Sequence, residues 1–149
     1  MKKRILAWVL ALVMIVGLLP TITLAADLRG SGTKDAPYLI ATADDLATFR
    51  TAVNTKANSG TNKFYAKLTA NIDLSEQDNW TPIGLSSSKV FAGEFDGNGH
   101  TISGLTIKAA TTQYQGLFGY VKNGTIKDLT VEGSVKTSSN NAAGIVGYG

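Results

Sequence analysis

Glu94 and Asp96 stand two residues apart, a spacing that places both carboxylates on one face of a β-strand. Paired acids beside a groove are the equipment of glycoside cleavage, in which a protonated carboxyl donates to the leaving oxygen while an ionised one attacks or activates water. His100, the only histidine, lies four residues further on. The same stretch also reads as structure. In Asp96-Gly97-Asn98-Gly99 the aspartate can bond its own backbone, and Asn and Gly both tolerate positive φ. No catalytic residue is therefore assigned; Glu94, Asp96 and His100 stand as the candidates. A calcium loop needs six or more converging oxygens, more than this turn supplies, so no metal and no cofactor is expected. The sequence contains no phosphate-binding Gly-rich loop followed by Lys-Ser or Lys-Thr, no His-Glu-x-x-His and no Gly-x-Ser-x-Gly. Trp80, Tyr114, Tyr120 and Tyr148 could stack on sugar rings if they share an exposed side, although Tyr120 and Tyr148 also fit a ladder between matching positions.

The elements that must hold these residues begin after a leader. The 149-residue chain carries 14 Lys and Arg against 11 Asp and Glu, but Lys2, Lys3 and Arg4 supply the entire excess. Without them the chain is neutral, which argues against nucleic acid and against a polybasic membrane binder. Those three cations precede an apolar run from Ile5 to Leu19, broken by Pro20, with small residues at Thr23 and Ala25. This is the pattern of a secretory signal peptide over residues 1–25, cleaved after Ala25. Fifteen helical residues rise about 22 Å, short of a bilayer core of about 30 Å, so no membrane insertion is expected after cleavage. The chain has no cysteine, which excludes disulfides, thiolate chemistry and a lipid-modified bacterial lipoprotein.

Residues 26–62 read as an extended lead-in followed by one helix. Thr42 and Asp45 form a capping box, and Leu46, Phe49 and Val53 lie on one face. A single apolar stripe on a polar helix suggests a lid over something hydrophobic.

From residue 63 to residue 149 short runs of Ile, Leu, Val and Thr alternate with Gly and Asn turns, the signature of strands. The segment repeats itself. Asn98-Gly99-His100-Thr101-Ile102 through Ile107 recurs as Asn123-Gly124-Thr125-Ile126 through Val131, which moves the Thr-Ile core by twenty-four residues. Gly116-Leu117-Phe118-Gly119-Tyr120 recurs as Gly144-Ile145-Val146-Gly147-Tyr148 after twenty-eight. Repeats of this size bury their apolar sides only against their neighbours. Lacking a leucine-rich ladder or paired helices, they predict a parallel β-helix with one turn of chain every twenty-four or so residues. Its inward stacks would be Ile102, Leu105 and Ile107 over Ile126, Leu129 and Val131. Glycines would sit at crowded corners, and the helix would cap the first coil.

These motifs resemble the GLUG-type repeats of bacterial surface proteins. The likeness extends through Gly30 to Ile40, Leu68 to Leu74, Trp80 to Gly84 and Phe95 to Ile102. The resemblance implies an all-β fold, a right-handed parallel β-helix (solenoid) with an N-terminal capping α-helix. It also implies a secreted or cell-wall location and an adhesin-like, non-catalytic role; such repeats are also found beside immunoglobulin-A1 protease domains. The partner would be an extracellular protein or glycan, and the alternative is the N-terminal part of a carbohydrate-active β-helix enzyme, a polysaccharide hydrolase or lyase. Nothing polar closes the repeat at Gly144 to Gly149, so further coils and domains of a longer polypeptide are expected beyond it.

Overall fold

The computed structural model describes residues 28–149; the leader read over residues 1–25 lies outside the described residues. Eight strands and one helix follow in the order β1 (Tyr38–Ile40), α1 (Ala43–Thr55), β2 (Phe64–Leu68), β3 (Ile72–Asp73), β4 (Phe91–Asp96), β5 (Thr101–Ala110), β6 (Phe118–Lys127), β7 (Thr130–Thr137) and β8 (Val146–Tyr148). The first strand falls in the lead-in segment, where the sequence suggested only extended chain.

The helix starts as its cap dictates. Thr42 Oγ1 accepts from Asp45 N at 3.1 Å, while Asp45 Oδ2 accepts from Thr42 N at 3.0 Å and from Ala41 N at 2.9 Å. Three donors around the first turn are thereby satisfied. Leu46, Phe49 and Val53 are wholly buried. Phe49 reaches furthest, with its ring 6.3 Å from Tyr38, 6.5 Å from Phe64, 6.1 Å from Phe91 and 5.8 Å from Phe95, centroid to centroid. One helical side chain thus touches β1, β2 and β4. At the other end of α1, Asn54 donates to Pro82 O (2.9 Å) and accepts from Gly84 N (2.8 Å), tying the helix to the loop before β4.

All strand ladders are parallel. One sheet has the order β1-β2-β4-β6-β8 and the other β3-β5-β7, so from β2 onward the chain passes alternately between them. Tyr38 pairs with Ala66, Ile72 with Ile102, Ile102 with Val131, and Phe118 with Val146. Neighbouring strands are therefore 28 to 30 residues apart at these positions. This corrects the twenty-four-residue spacing taken from the Thr-Ile motif. Ile126 pairs with Phe95 in the five-stranded sheet, and Ile102 with Val131 in the other. The two motif copies serve different sheets, because a Thr-Ile strand signal is local while register is set by the whole circuit of strands and turns.

Inward residues of both sheets join one hydrophobic cluster that contains all five phenylalanines. Burial declines along it. Ile72, Ile102, Leu105 and Ile107 are buried, whereas Ile126, Leu129, Val131, Val135 and Val146 are only half-buried at its far end. The expectation of two equally buried stacks is corrected accordingly, since the second set has core on one side alone. Gly119 shows why glycine stands at a crowded corner: a Cβ there would lie 2.3 Å from Gly84 O.

Candidate functional site

The candidate acids lie on the outer side of β4, carried there by strand alternation: Phe95 points into the core, and Glu94 and Asp96 away from it. The parallel register then decides what faces them. Tyr65 of β2 and Thr125 of β6 flank Glu94, while Lys67 and Lys127 flank Asp96. Lys127 Nζ lies 2.9 Å from Glu94 Oε1 and 3.9 Å from Asp96 Oδ2, and Lys67 Nζ lies 3.8 Å from Asp96 Oδ2. The result is a ladder of alternating charge, Lys67-Asp96-Lys127, running across three strands.

The pKa of the Lys127 ammonium is raised, mainly by the hydrogen bond to Glu94. Both acids are thus engaged in ion pairs with lysines of the flanking strands. Asp96 has a further role as a turn former, its Oδ1 accepting from Asn98 N at 2.8 Å. Asn98 takes φ 52° and Gly99 φ 77°, as the turn reading requires. His100 is turned elsewhere: its Nδ1 meets Asn71 Oδ1 at 3.2 Å, and Asn71 Oδ1 also accepts from Thr101 N at 3.0 Å. The histidine is a corner residue, held to Asn71 in the turn between β2 and β3. Among the described residues, no group of three or more His, Cys, Asp and Glu side chains could hold a metal ion.

Lys67 and Lys127 were missed in sequence because their partners lie 29 and 31 positions away; only the strand register brings them together. A cavity of about 160 Å³ beside this ladder is lined by Lys34, Tyr65, Lys67, Glu94 and Asp96. A second, of about 450 Å³, lies between the loops around Thr81 and Thr112, with Asn79, Leu85 and Tyr114 on its walls.

The four aromatic candidates separate into two groups. Trp80 is 2% exposed, donates from Nε1 to Leu117 O at 3.1 Å, and has the Arg50 guanidinium 4.6 Å from its ring centroid. It is a core residue and offers no stacking face. Tyr120 and Tyr148 are Cα partners in the β6-β8 ladder with ring centroids 4.7 Å apart. Tyr114 joins them at 5.0 and 5.5 Å, brought there by a left-handed backbone at φ 63°. That conformation is strained for an aromatic residue; Gln115 bridges to Ala142, so the residue matching Tyr114 is Asn141, which repeats the left-handed backbone at φ 63° without an aromatic ring.

No protein-family model matches the chain. It is 36% identical over 133 residues to halomucin of Haloquadratum walsbyi, a match covering 83% of this chain and 1% of that protein. It is 33% identical over 114 residues to a Gly-rich membrane protein of Evansella cellulosilytica, covering 72% of this chain and 12% of the relative. The chain thus spans a small fraction of the length of the curated relatives it matches. In fold it is similar to a crystal structure from Bacteroides ovatus described as an immunoglobulin A1 protease, with a TM-score of 0.58 and 24% identity, over 75% of this chain and 31% of that one.

Proposed function

We propose that residues 63–149 wind as a right-handed parallel β-helix capped by α1, and that the chain is a secreted or cell-surface module of an adhesin-like bacterial protein. Its role is interaction or support, without catalysis. The coil reading is supported by the parallel ladders, the 28-to-30-residue advance and the single core shared by two sheets. The surface reading draws on the names of the relatives, a halomucin and a membrane protein, and on the export leader read at residues 1–25. No helix among the described residues is long and apolar enough to cross a membrane.

The observation that carries the non-catalytic reading is the Lys67-Asp96-Lys127 ladder with Glu94, which ties the two candidate acids to structure. Such a face would meet an extracellular protein or glycan as a flat, patterned surface. Half-buried Leu129, Val131 and Val146 are where a further coil of the same polypeptide would dock.

Limited proteolysis of intact cells, read by antibody against the chain, tests location: loss of the protein with the cytosol untouched is expected, and full protection together with absence from the medium would overturn it. Turnover of a polysaccharide panel tests the rest. A hydrolase or lyase activity that disappears in a folded Glu94→Gln or Asp96→Asn variant would replace this reading with the carbohydrate-active enzyme.

A further inference from the structure

Three of the five tyrosines meet at one place outside the phenylalanine core. Tyr120 and Tyr148 are aligned across the β6-β8 ladder, their centroids 4.7 Å apart and their planes tilted by 46°. Tyr114 lies against both with its plane at 67° to each. Tyr148 is 43% exposed, on a strand of three residues, so its ring is open to solvent. Tyr38, by contrast, packs on Phe49.

A phenol that loses one electron and one proton becomes a phenoxyl radical with spin density on the carbons ortho to oxygen. Two such radicals in contact join through those carbons. We propose that Tyr120 and Tyr148 form an oxidative modification site, at which a peroxide-dependent one-electron oxidant couples them into an intramolecular dityrosine. Each phenol gives up one electron and one proton. A carbon-carbon bond forms between the two ortho positions, and the hydrogen on each of those carbons moves to its oxygen to restore the ring. Hydrogen peroxide takes up the two electrons and two protons and leaves as two waters. The protein ends two hydrogens lighter.

The link would act as a staple. Tyr120 and Tyr148 are 28 residues apart in sequence and adjacent in the ladder, so their bond closes a loop through the unfolded chain and removes part of its freedom, as a disulfide does. The chain has no cysteine with which to make a disulfide. The coupling chemistry depends on ring placement alone and stands apart from the proposed surface role. Partial desolvation, followed by the neighbouring Tyr148 and Tyr114, raises the Tyr120 pKa.

The test treats the dilute full chain with a haem peroxidase and hydrogen peroxide, then combines intact mass, dityrosine fluorescence and peptide mapping. A monomer two hydrogens lighter, with the Tyr120 and Tyr148 peptides joined and a raised denaturation midpoint, is expected. Tyr114→Phe and Tyr65→Phe should keep that product. Because Tyr114 also lies 5.0 Å from Tyr120, the double variant Tyr114→Phe/Tyr148→Phe should reduce the intramolecular yield to that of the urea-unfolded chain. Links formed only between chains, an intramolecular link joining another pair, or no more coupling in the folded chain than in the unfolded one would each overturn the proposal.

Discussion

Lys127 Nζ sits 2.9 Å from Glu94 Oε1 across the β4-β6 ladder, so a neighbouring strand neutralises one of the two acids best placed for chemistry. The pair is solvent-exposed, at 42% for the lysine and 37% for the glutamate side chain, and salt therefore screens it. Because the folded-state pKa of Lys127 is raised, chiefly by that hydrogen bond, its contribution is fully present below the unfolded lysine value, about pH 10. It is lost as pH rises through the folded value. Denaturation of the parent and of Lys127→Met from pH 7 to 11 should give curves that converge at the alkaline end. A gap that widens there would contradict the assignment.

At the acid end the sign reverses. Asp73 Oδ1 accepts from Ser75 N at 2.8 Å, and its pKa is lowered by the hydrogen bonds to Ser75. A depressed carboxylate contributes stability above its unfolded value, about pH 4, and loses it as pH falls through the folded value. Asp73→Asn should therefore be less stable than the parent at neutral pH and show a shallower acid limb. Parallel acid limbs would count against it.

Leu105 and Leu129 should respond differently to the same change. Leu105 is 1% exposed, and an unpaired charge there costs several kcal/mol, on the order of the whole stability of a small domain. Leu129 is only half-buried, so an aspartate at 129 can reach water. Leu105→Asp is expected to unfold the chain and Leu129→Asp to leave it folded with a lower midpoint, both read by circular dichroism and urea titration.

Gly116 and Gly144 occupy matching repeat positions but different surroundings. A Cβ on Gly116 would meet Ala143 O at 2.8 Å and Phe118 O at 2.9 Å, while one on Gly144 meets nothing within 4 Å. Backbone atoms cannot rotate aside. Gly116→Ala should cost about 1–3 kcal/mol, against less than about 0.5 kcal/mol for Gly144→Ala. Equal costs, measured by urea denaturation, would mean that the 142–146 segment does not lie over Gly116.

What could be read in the sequence was local chemistry. The Thr42-Asp45 box, the Leu46-Phe49-Val53 stripe and the Asp96 turn each lie within a few residues and depend on one element. The Gly-Leu-Phe-Gly-Tyr repeat gave the correct twenty-eight-residue offset because both copies lie on the same sheet. The Thr-Ile repeat misled because its copies lie on different sheets, Ile102 on β5 and Ile126 on β6. The charge ladder was hidden for a related reason: Lys67, Asp96 and Lys127 meet only through register. Tyr114 reaches the tyrosine cluster through a left-handed backbone that Asn141 repeats with a non-aromatic side chain, so the repeat does not announce the ring.

The stacking of successive parallel strands is tested most directly by its register. Thr106 pairs with Ser134 in the β5-β7 ladder, whereas the twenty-four-residue motif would place Thr106 beside Thr130. Strands in a sheet lie about 4.8 Å apart, within the Cα separation a disulfide spans, and the natural chain has no cysteine to interfere. Under mild oxidation Thr106→Cys/Ser134→Cys should form an intramolecular disulfide in the folded protein, and Thr106→Cys/Thr130→Cys should remain as free thiols. The opposite pattern, with the 106–130 pair oxidised and the 106–134 pair reduced, would contradict the fold on which the proposed surface module depends.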